Sequence, residues 1–379
     1  MTANIYLHPI GLSNAPQTES TGDGPGAIRL AGSMVYASRF AVVVREEGKV
    51  IHRRVFGLKD ASEALGEPGG ALTSEATRQW ANLQKVHAPL TLGERTVRLD
   101  QPQIMGVLNV TPDSFSDGGE WLEKPDAGRA HAAAMVEAGA AIIDIGGEST
   151  RPGGAATFEG DEIERVMPAV EYCASMGAAI SVDTRRAGVL EAALAKGAHM
   201  ANDVSALRYD PRMIDLVAGG GCPVILMHAP GTGEDLHSKE GLSGGDYSDV
   251  VSDVFDTLKH QREKAIAGGI AEDRIMLDPG IGFGKTLGEN LQLINALPLF
   301  HALGSPLLLG MSRKRMIGAL SREEGAHERL GGSIALAMAA MNAGAHMLRV
   351  HDVAETVQAR NVWRGMRDAA LTDFSQLPL

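Results

Sequence analysis

The chain has 379 residues, 44% hydrophobic and 22% charged, with a formal net charge of -12. That length exceeds an ordinary domain of roughly 100 to 200 residues and suits an α/β barrel of about 250 with an appendage. The acidic balance excludes a broad nucleic-acid or anionic-membrane surface, so an anionic ligand must be held by local cations.

Residues 12–27 are rich in Gly, Ser, Thr and Pro and read as a mobile segment. Met34 to Val44 and Lys49 to Phe56 are β-rich runs on either side of Glu46-Glu47-Gly48, which predicts a hairpin. Ser74 to Val86 reads as a short helix. This N-terminal extension, residues 1–86, carries no cluster of acids, bases or anion-binding groups, and catalysis is expected not to need it. No apolar run reaches the ~18 residues of a spanning helix, and the start lacks the basic and apolar parts of a secretory signal. Cys173 and Cys222 lack metal-type spacing, which fits a reducing compartment. A cytoplasmic protein is expected.

From about residue 87 the pattern becomes regular. β-like runs fall at 104–109, 141–146, 179–183, 199–204, 223–228, 275–279, 306–311 and 346–351, with Ala-rich helical segments between them. EAGAAIIDIGG, AKGAHMANDVS and NAGAHMLRVHD share one punctuation, in which Gly139, Gly197 and Gly344 stop a helix ahead of a strand. Eight strand-helix units predict an α/β protein with a (β/α)8 TIM barrel over 87–372. An open doubly wound sheet is the alternative, because periodicity does not prove closure.

In such a barrel the site lies at the carboxyl ends of the strands. Here those ends carry Asn109, Glu148 to Gly154, Asp183, Asn202, Met227, Asp278, Ser312 to Lys314, and Arg349 to Asp352. A carboxylate at the end of an apolar strand is costly unless something binds it. The motif DPGIGFGKT (278–286) fails the phosphate-loop pattern, since Pro279 stands where the first glycine is needed. Its glycines are read as letting backbone pass close to a flat ligand, and Lys285 as a solvated or phosphate-facing charge.

The segments MGVLNVTPDSFSDGG, IDIGGESTRPGG, SVDT, NDVSAL, ILMH, LDPGIGFGK, MSRKRMIG and RVHDV, in that order, give the chain a close resemblance to the dihydropteroate synthase family over roughly residues 87–370. The resemblance implies joining 6-hydroxymethyl-7,8-dihydropterin pyrophosphate to p-aminobenzoate, giving 7,8-dihydropteroate and pyrophosphate by an SN1-like route. It assigns pterin contacts to Asp183, Asn202, Asp278 and Lys314, with Met227 and Phe283 walling the slot. It assigns the pyrophosphate to Asn109, Thr150, Arg151, Arg349 and His351, and Mg2+ to Asn109. Asp117 would stabilise the developing cation, with Arg151 and Lys314 also catalytic. Phe115 and Pro152 would frame the aminobenzoate ring. Two rivals remain at this point: a pterin-binding methyltransferase and a noncatalytic pterin-binding paralogue. A homodimer through the last two helices is expected, because 332–345 is small and apolar nearly all round.

Overall fold

A computed structural model describes residues 3–14, 26–111, 125–149, 157–231, 233–242 and 245–371. The extension is an antiparallel sheet of β1 (Asn4–Ser13), β2 (Ile28–Arg29), β3 (Tyr36–Glu46) and β4 (Lys49–Gly57), in which β3 pairs with the other three. The predicted hairpin is β3–β4. Its turn residues Glu47 and Gly48 both have positive φ, at 50° and 76°, the combination that matches a tight turn to strand twist. Helices α1 (Ala61–Gly66) and α2 (Gly70–Leu83) follow, then a small hairpin of β5 (Leu90–Leu92) and β6 (Arg95–Val97). Of the segment 12–27, residues 15–25 lie outside the described residues.

The extension is docked on the barrel, and its apolar residues run into the same core as the barrel's. Tyr6 meets Phe255 edge to face, and Phe255 in turn lies against Phe300. Polar ties flank this contact: the Tyr6 hydroxyl donates to Asp256 (2.7 Å), and Arg45 pairs with Asp249 (3.0 Å).

The eight predicted parallel strands are all present. They are β7 (Gln103–Asn109), β8 (Ile142–Gly146), β9 (Ile180–Asp183), β10 (Met200–Asp203), β11 (Val224–Met227), β12 (Ile275–Asp278), β13 (Leu308–Leu309) and β14 (Met347–Val350). The helices between them are α3 (Pro125–Glu137), α4 (Glu159–Ser175), α5 (Ala187–Ala195), α6 (Met213–Gly220), α7 (Val250–Ala267), α8 (Leu287–Asn295), α9 (Arg315–Ala319) and α10 (Leu330–Asn342), and α11 (Val353–Leu371) ends the described chain. The ladder runs β12-β11-β10-β9-β8-β7-β14-β13, and a parallel bridge between Leu277 and Leu307 joins its two ends into a nearly closed barrel. The open-sheet alternative is thereby set aside.

Gly139, Gly197 and Gly344 act as predicted, with φ of 101°, 101° and 86°. The alanine after each donates back to the preceding helix, Ala140 to Met135, Ala198 to Ala193 and Ala345 to Ala340, so one cap is used three times. Among the described residues, no helix is long and apolar enough to cross a membrane.

At the barrel's lower rim a buried histidine pair joins the extension to Leu307, the residue before strand β13. His346 accepts from Leu307 N through Nδ1 and donates to Ala31 O through Nε2, both at 3.0 Å. His301 donates to Ala343 O (2.9 Å), its ring 5.4 Å from that of His346. Burial pushes His301 down to about 3 and His346 to about 4. Both therefore stay neutral in the fold while the unfolded chain takes up protons below pH ~6.5. Their contribution is intact above that pH and is lost as pH falls towards 4, by up to ~1.4 kcal/mol per pH unit for each ring. Replacing His301 by Met should shrink the difference in unfolding free energy between pH 6.5 and 5.0 by about 2 kcal/mol. Urea titrations at the two pH values measure it, and an unchanged difference would mean that His301 is not held neutral.

Candidate active site

The strand period of two explains which side chains reach the site. A core inside the lower barrel is built from Met105, Ile142, Ala179, Met200, Ile225, Met276, Leu308 and Met347. Two residues further along each strand, on the same face, stand Val107, Asp144, Ser181, Asn202, Met227, Asp278, Gly310 and Arg349. Asn109 and Asp183 stand one step higher still, in register with Gly146 between them. Gly146 keeps that space open, since a Cβ there would lie 3.5 Å from both Asn109 Oδ1 and Asp183 Cβ.

Above this layer opens a cleft of about 1010 Å3 at the strands' carboxyl ends. Asn109, Asp183, Asn202, Met227, Asp278, Phe283, Lys314, Arg349 and His351 are all on its wall. Phe115, Asp117, Thr150, Arg151 and Pro152 lie outside the described residues.

Asp144 organises the floor, and the sequence reading passed over it. Fully buried in β8, it accepts from Arg349 Nε (2.6 Å) and from Asn202 Nδ2 (3.0 Å) through the same oxygen. Arg349 also donates from Nη2 to Asp183 (2.7 Å). A guanidinium shared by two carboxylates, one of them fully buried, is an arrangement in which removing one partner is costly. The signal was an Asp inside the apolar run IIDIG, two residues beyond a core position.

Burial dominates the electrostatics here. It raises Asp183 to about 7, with Arg349 opposing and Asp144 adding to the rise. It raises Asp278 to about 6, although Gly280 N donates to that carboxylate (2.7 Å) and Lys314 opposes. It lowers Lys314 to about 8, against the pull of Asp278. The Lys314 ammonium sits 4.4 Å from the centre of the Phe283 ring, and at the cleft's other side Ser312 Oγ lies 3.1 Å from His351 Nδ1.

One reading of DPGIGFGKT needs correction. Lys285 is neither solvated nor phosphate-facing: its ammonium donates to Gly280 O (2.9 Å) and Phe283 O (3.0 Å) and lies 3.0 Å from His228 Nδ1. It stitches the loop after β12 to the end of β11. Gly280 and Gly284 serve the same packing, while Gly282 stands on the cleft wall beside Lys314. A Cβ on Gly280 would fall 1.8 Å from His228 O, and one on Gly284 2.3 Å from Pro230 Cγ.

The model of the pterin binding enzyme family matches residues 105–351. Dihydropteroate synthase of Escherichia coli (strain K12) is 45% identical over 265 residues, covering 70% of this chain and 91% of that one. The chain belongs to the dihydropteroate synthase family. The relatives it matches are dihydropteroate synthases and not methyltransferases, and they are enzymes, transferases, which sets aside the methyltransferase and the noncatalytic rivals. Two solved structures of the family agree in fold. The Xanthomonas albilineans dihydropteroate synthase with 4-aminobenzoic acid has TM-score 0.67 at 42% identity, covering 77% of this chain and 100% of that one. The Burkholderia cenocepacia dihydropteroate synthase complexed with 7,8-dihydropteroate has TM-score 0.65 at 37% identity, covering 75% and 98%.

Proposed function

We propose that the cleft condenses 6-hydroxymethyl-7,8-dihydropterin pyrophosphate with p-aminobenzoate, in the roles laid out for each residue above. The observation that carries this reading is convergence: residues from eight separate strand ends meet around one slot, seven of them bringing donors, acceptors or cations and β11 the apolar Met227. A pterin is flat and edged with donors and acceptors. Asp278, Asp183 and Asn202 suit its amide and amine edge, Lys314 its acceptors, and Met227 and Phe283 its faces.

At the other end Arg349, His351 and Thr150 with Arg151 take the pyrophosphate. Asn109 suits Mg2+: its amide opens on the cleft and makes no hydrogen bond among the described residues, and an uncharged oxygen is a ligand this ion accepts. Among those residues no cluster of three His, Cys, Asp or Glu is suited to a metal, so phosphate oxygens and water would complete its shell. When bound, the ion supplies positive charge to the leaving group. The protein's own contribution is preorganised charge and positioning. The bond between methylene carbon and pyrophosphate oxygen breaks with its electron pair leaving on oxygen, Asp117 stabilises the cation that remains, and the aniline nitrogen then adds and loses a proton. No protein nucleophile takes part. Chromatographic detection of 7,8-dihydropteroate from the two substrates tests the reading, and its absence from active-folded protein would refute it.

The aminobenzoate carboxylate needs a cation, and the cleft has one to spare. Lys239 pairs with Asp246 and Glu289, Arg313 with Asp352, and Arg349 with Asp144 and Asp183, while Arg329 donates to Glu324 O and Arg313 O. Lys285 is held by backbone carbonyls and Lys314 by the Phe283 ring. Arg315, exposed on the cleft wall, is the one described cleft cation without a described partner. Arg315→Ala should raise KM for p-aminobenzoate about fivefold, the scale of an exposed charge-assisted hydrogen bond, and leave KM for the pterin unchanged. Steady-state kinetics with each substrate varied in turn measure the split.

The protein is further read as a homodimer through α10 and α11. Leu330, Val362 and Met366 support this, being large apolar side chains exposed on those two helices. Light scattering at micromolar concentration should give twice the chain mass, and a monomer alone would rule the dimer out.

A further inference from the structure

The loop after β11, residues 228–249, received no role from its sequence, yet it builds part of the cleft. Leu236 is buried against Met227, Val204 and Ala229, and Phe283 packs on that cluster. The next residue, His237, stacks on Phe283 with ring centres 5.1 Å apart and planes 15° from parallel. Its Nδ1 accepts from Gly284 N (3.2 Å), so one imidazole grips both the Phe283 ring and the backbone that carries it.

The loop is itself held from outside the cleft. Arg185, buried and paired with Glu148, donates to Gly233 O (2.9 Å) and Glu234 O (3.2 Å). Tyr209 donates to the Glu234 carboxylate (2.7 Å), and Gly231 N donates to Leu236 O (3.2 Å). These ties make His237 a fixed plate, not a side chain on a free loop. An aromatic wall can gain from contact with a flat ligand only when its own orientation is settled beforehand, since ordering it at binding costs side-chain entropy.

The geometry points to His237 as a positioning residue that orients Phe283, and with it one wall of the pterin slot. This rests on the reading of Phe283 as that wall. The His237 ring touches no reacting atom in this role; it acts through Phe283. Stacking carries most of the effect, and the bond from Gly284 fixes the ring's rotation.

The test titrates 6-hydroxymethyl-7,8-dihydropterin pyrophosphate into the full chain by calorimetry, with Mg2+ and without aminobenzoate. Four variants are compared: His237→Ala, His237→Phe, Phe283→Ala and the double variant His237→Ala/Phe283→Ala. Loss of an aromatic pair of this kind predicts about fivefold weaker binding for His237→Ala, with His237→Phe within about twofold of wild type. Because His237 acts through Phe283, the double variant should bind no more weakly than Phe283→Ala alone. If Phe283→Ala weakens binding while His237→Ala does not, or if the two effects simply add, the positioning role is overturned. His237→Phe as weak as His237→Ala would also overturn it. Unchanged binding in Phe283→Ala would instead refute the assignment of the wall, and is thereby distinguished. Thermal unfolding of each variant, expected to stay within a few degrees of wild type, separates these outcomes from general loss of structure.

Discussion

Arg349→Ala is expected to lower kcat/KM by about 100- to 1000-fold, the range for removing one preorganised donor from a developing or departing anion. The structure adds a second cost. Arg349 spans Asp144, fully buried, and Asp183, and without it both carboxylates lose the cation that bridges them. Breaking a buried pair from one side costs about 3 to 5 kcal/mol, so the variant should also unfold at markedly lower urea concentration. Arg349→Lys should recover little, because an ammonium cannot present two separately aimed N–H groups to Asp144 and Asp183. Steady-state kinetics beside urea unfolding measure both losses. Near-normal activity in Arg349→Ala would remove this residue from the anion end.

The second large effect lies at the pterin end. Lys314→Ala and Asp278→Ala should each weaken pterin binding by about 1 to 3 kcal/mol, the cost of leaving a buried polar partner unsatisfied. Their titration gives the wild type a pH signature. The Asp278 carboxylate is ionised above about 6, and the Lys314 ammonium is protonated below about 8. Pterin affinity should therefore fall on the acid side as Asp183, raised to about 7, and then Asp278 take protons, and on the alkaline side as Lys314 loses one, leaving the maximum between about 7 and 8. Lys314→Ala should abolish the alkaline limb and keep the acid one. Calorimetric titration across pH 5 to 9 measures both limbs, and flat affinity would remove these groups from the slot.

Much of the barrel was legible because parallel strands are buried on both faces and so read as short unbroken apolar runs, with Gly139, Gly197 and Gly344 marking three of the entries. Strand β1 was not legible. Pro9 and Gly11 interrupt it, and its pairing with β3 shifts register at those residues, so its pattern follows no single period. The β5–β6 hairpin was missed because three residues per strand are too few to show alternation, although its Leu90, Leu92 and Val97 cap the lower barrel core.

In the site, residues ending strands were found, since a polar side chain after an apolar run is conspicuous. Asp144, inside its run, was absorbed into the strand. Arg315 and His237 gave no local signal. The first is marked only by having no partner among the described residues once every neighbouring cation is accounted for, and the second by a stacking contact across 46 residues of chain, from His237 to Phe283. Lys285 erred the other way, because a lysine among glycines resembles a phosphate ligand until its carbonyl partners are seen.

The central claim, a dissociative condensation in this cleft, is tested most directly by the rate of pyrophosphate release with p-aminobenzoate and with less basic para-substituted anilines at saturation. If carbon-oxygen cleavage precedes attack, pyrophosphate release should keep one rate across the series, and Arg349→Ala should slow it alike for every amine. A rate that falls in step with amine basicity, or no pyrophosphate released with any amine, would contradict the account.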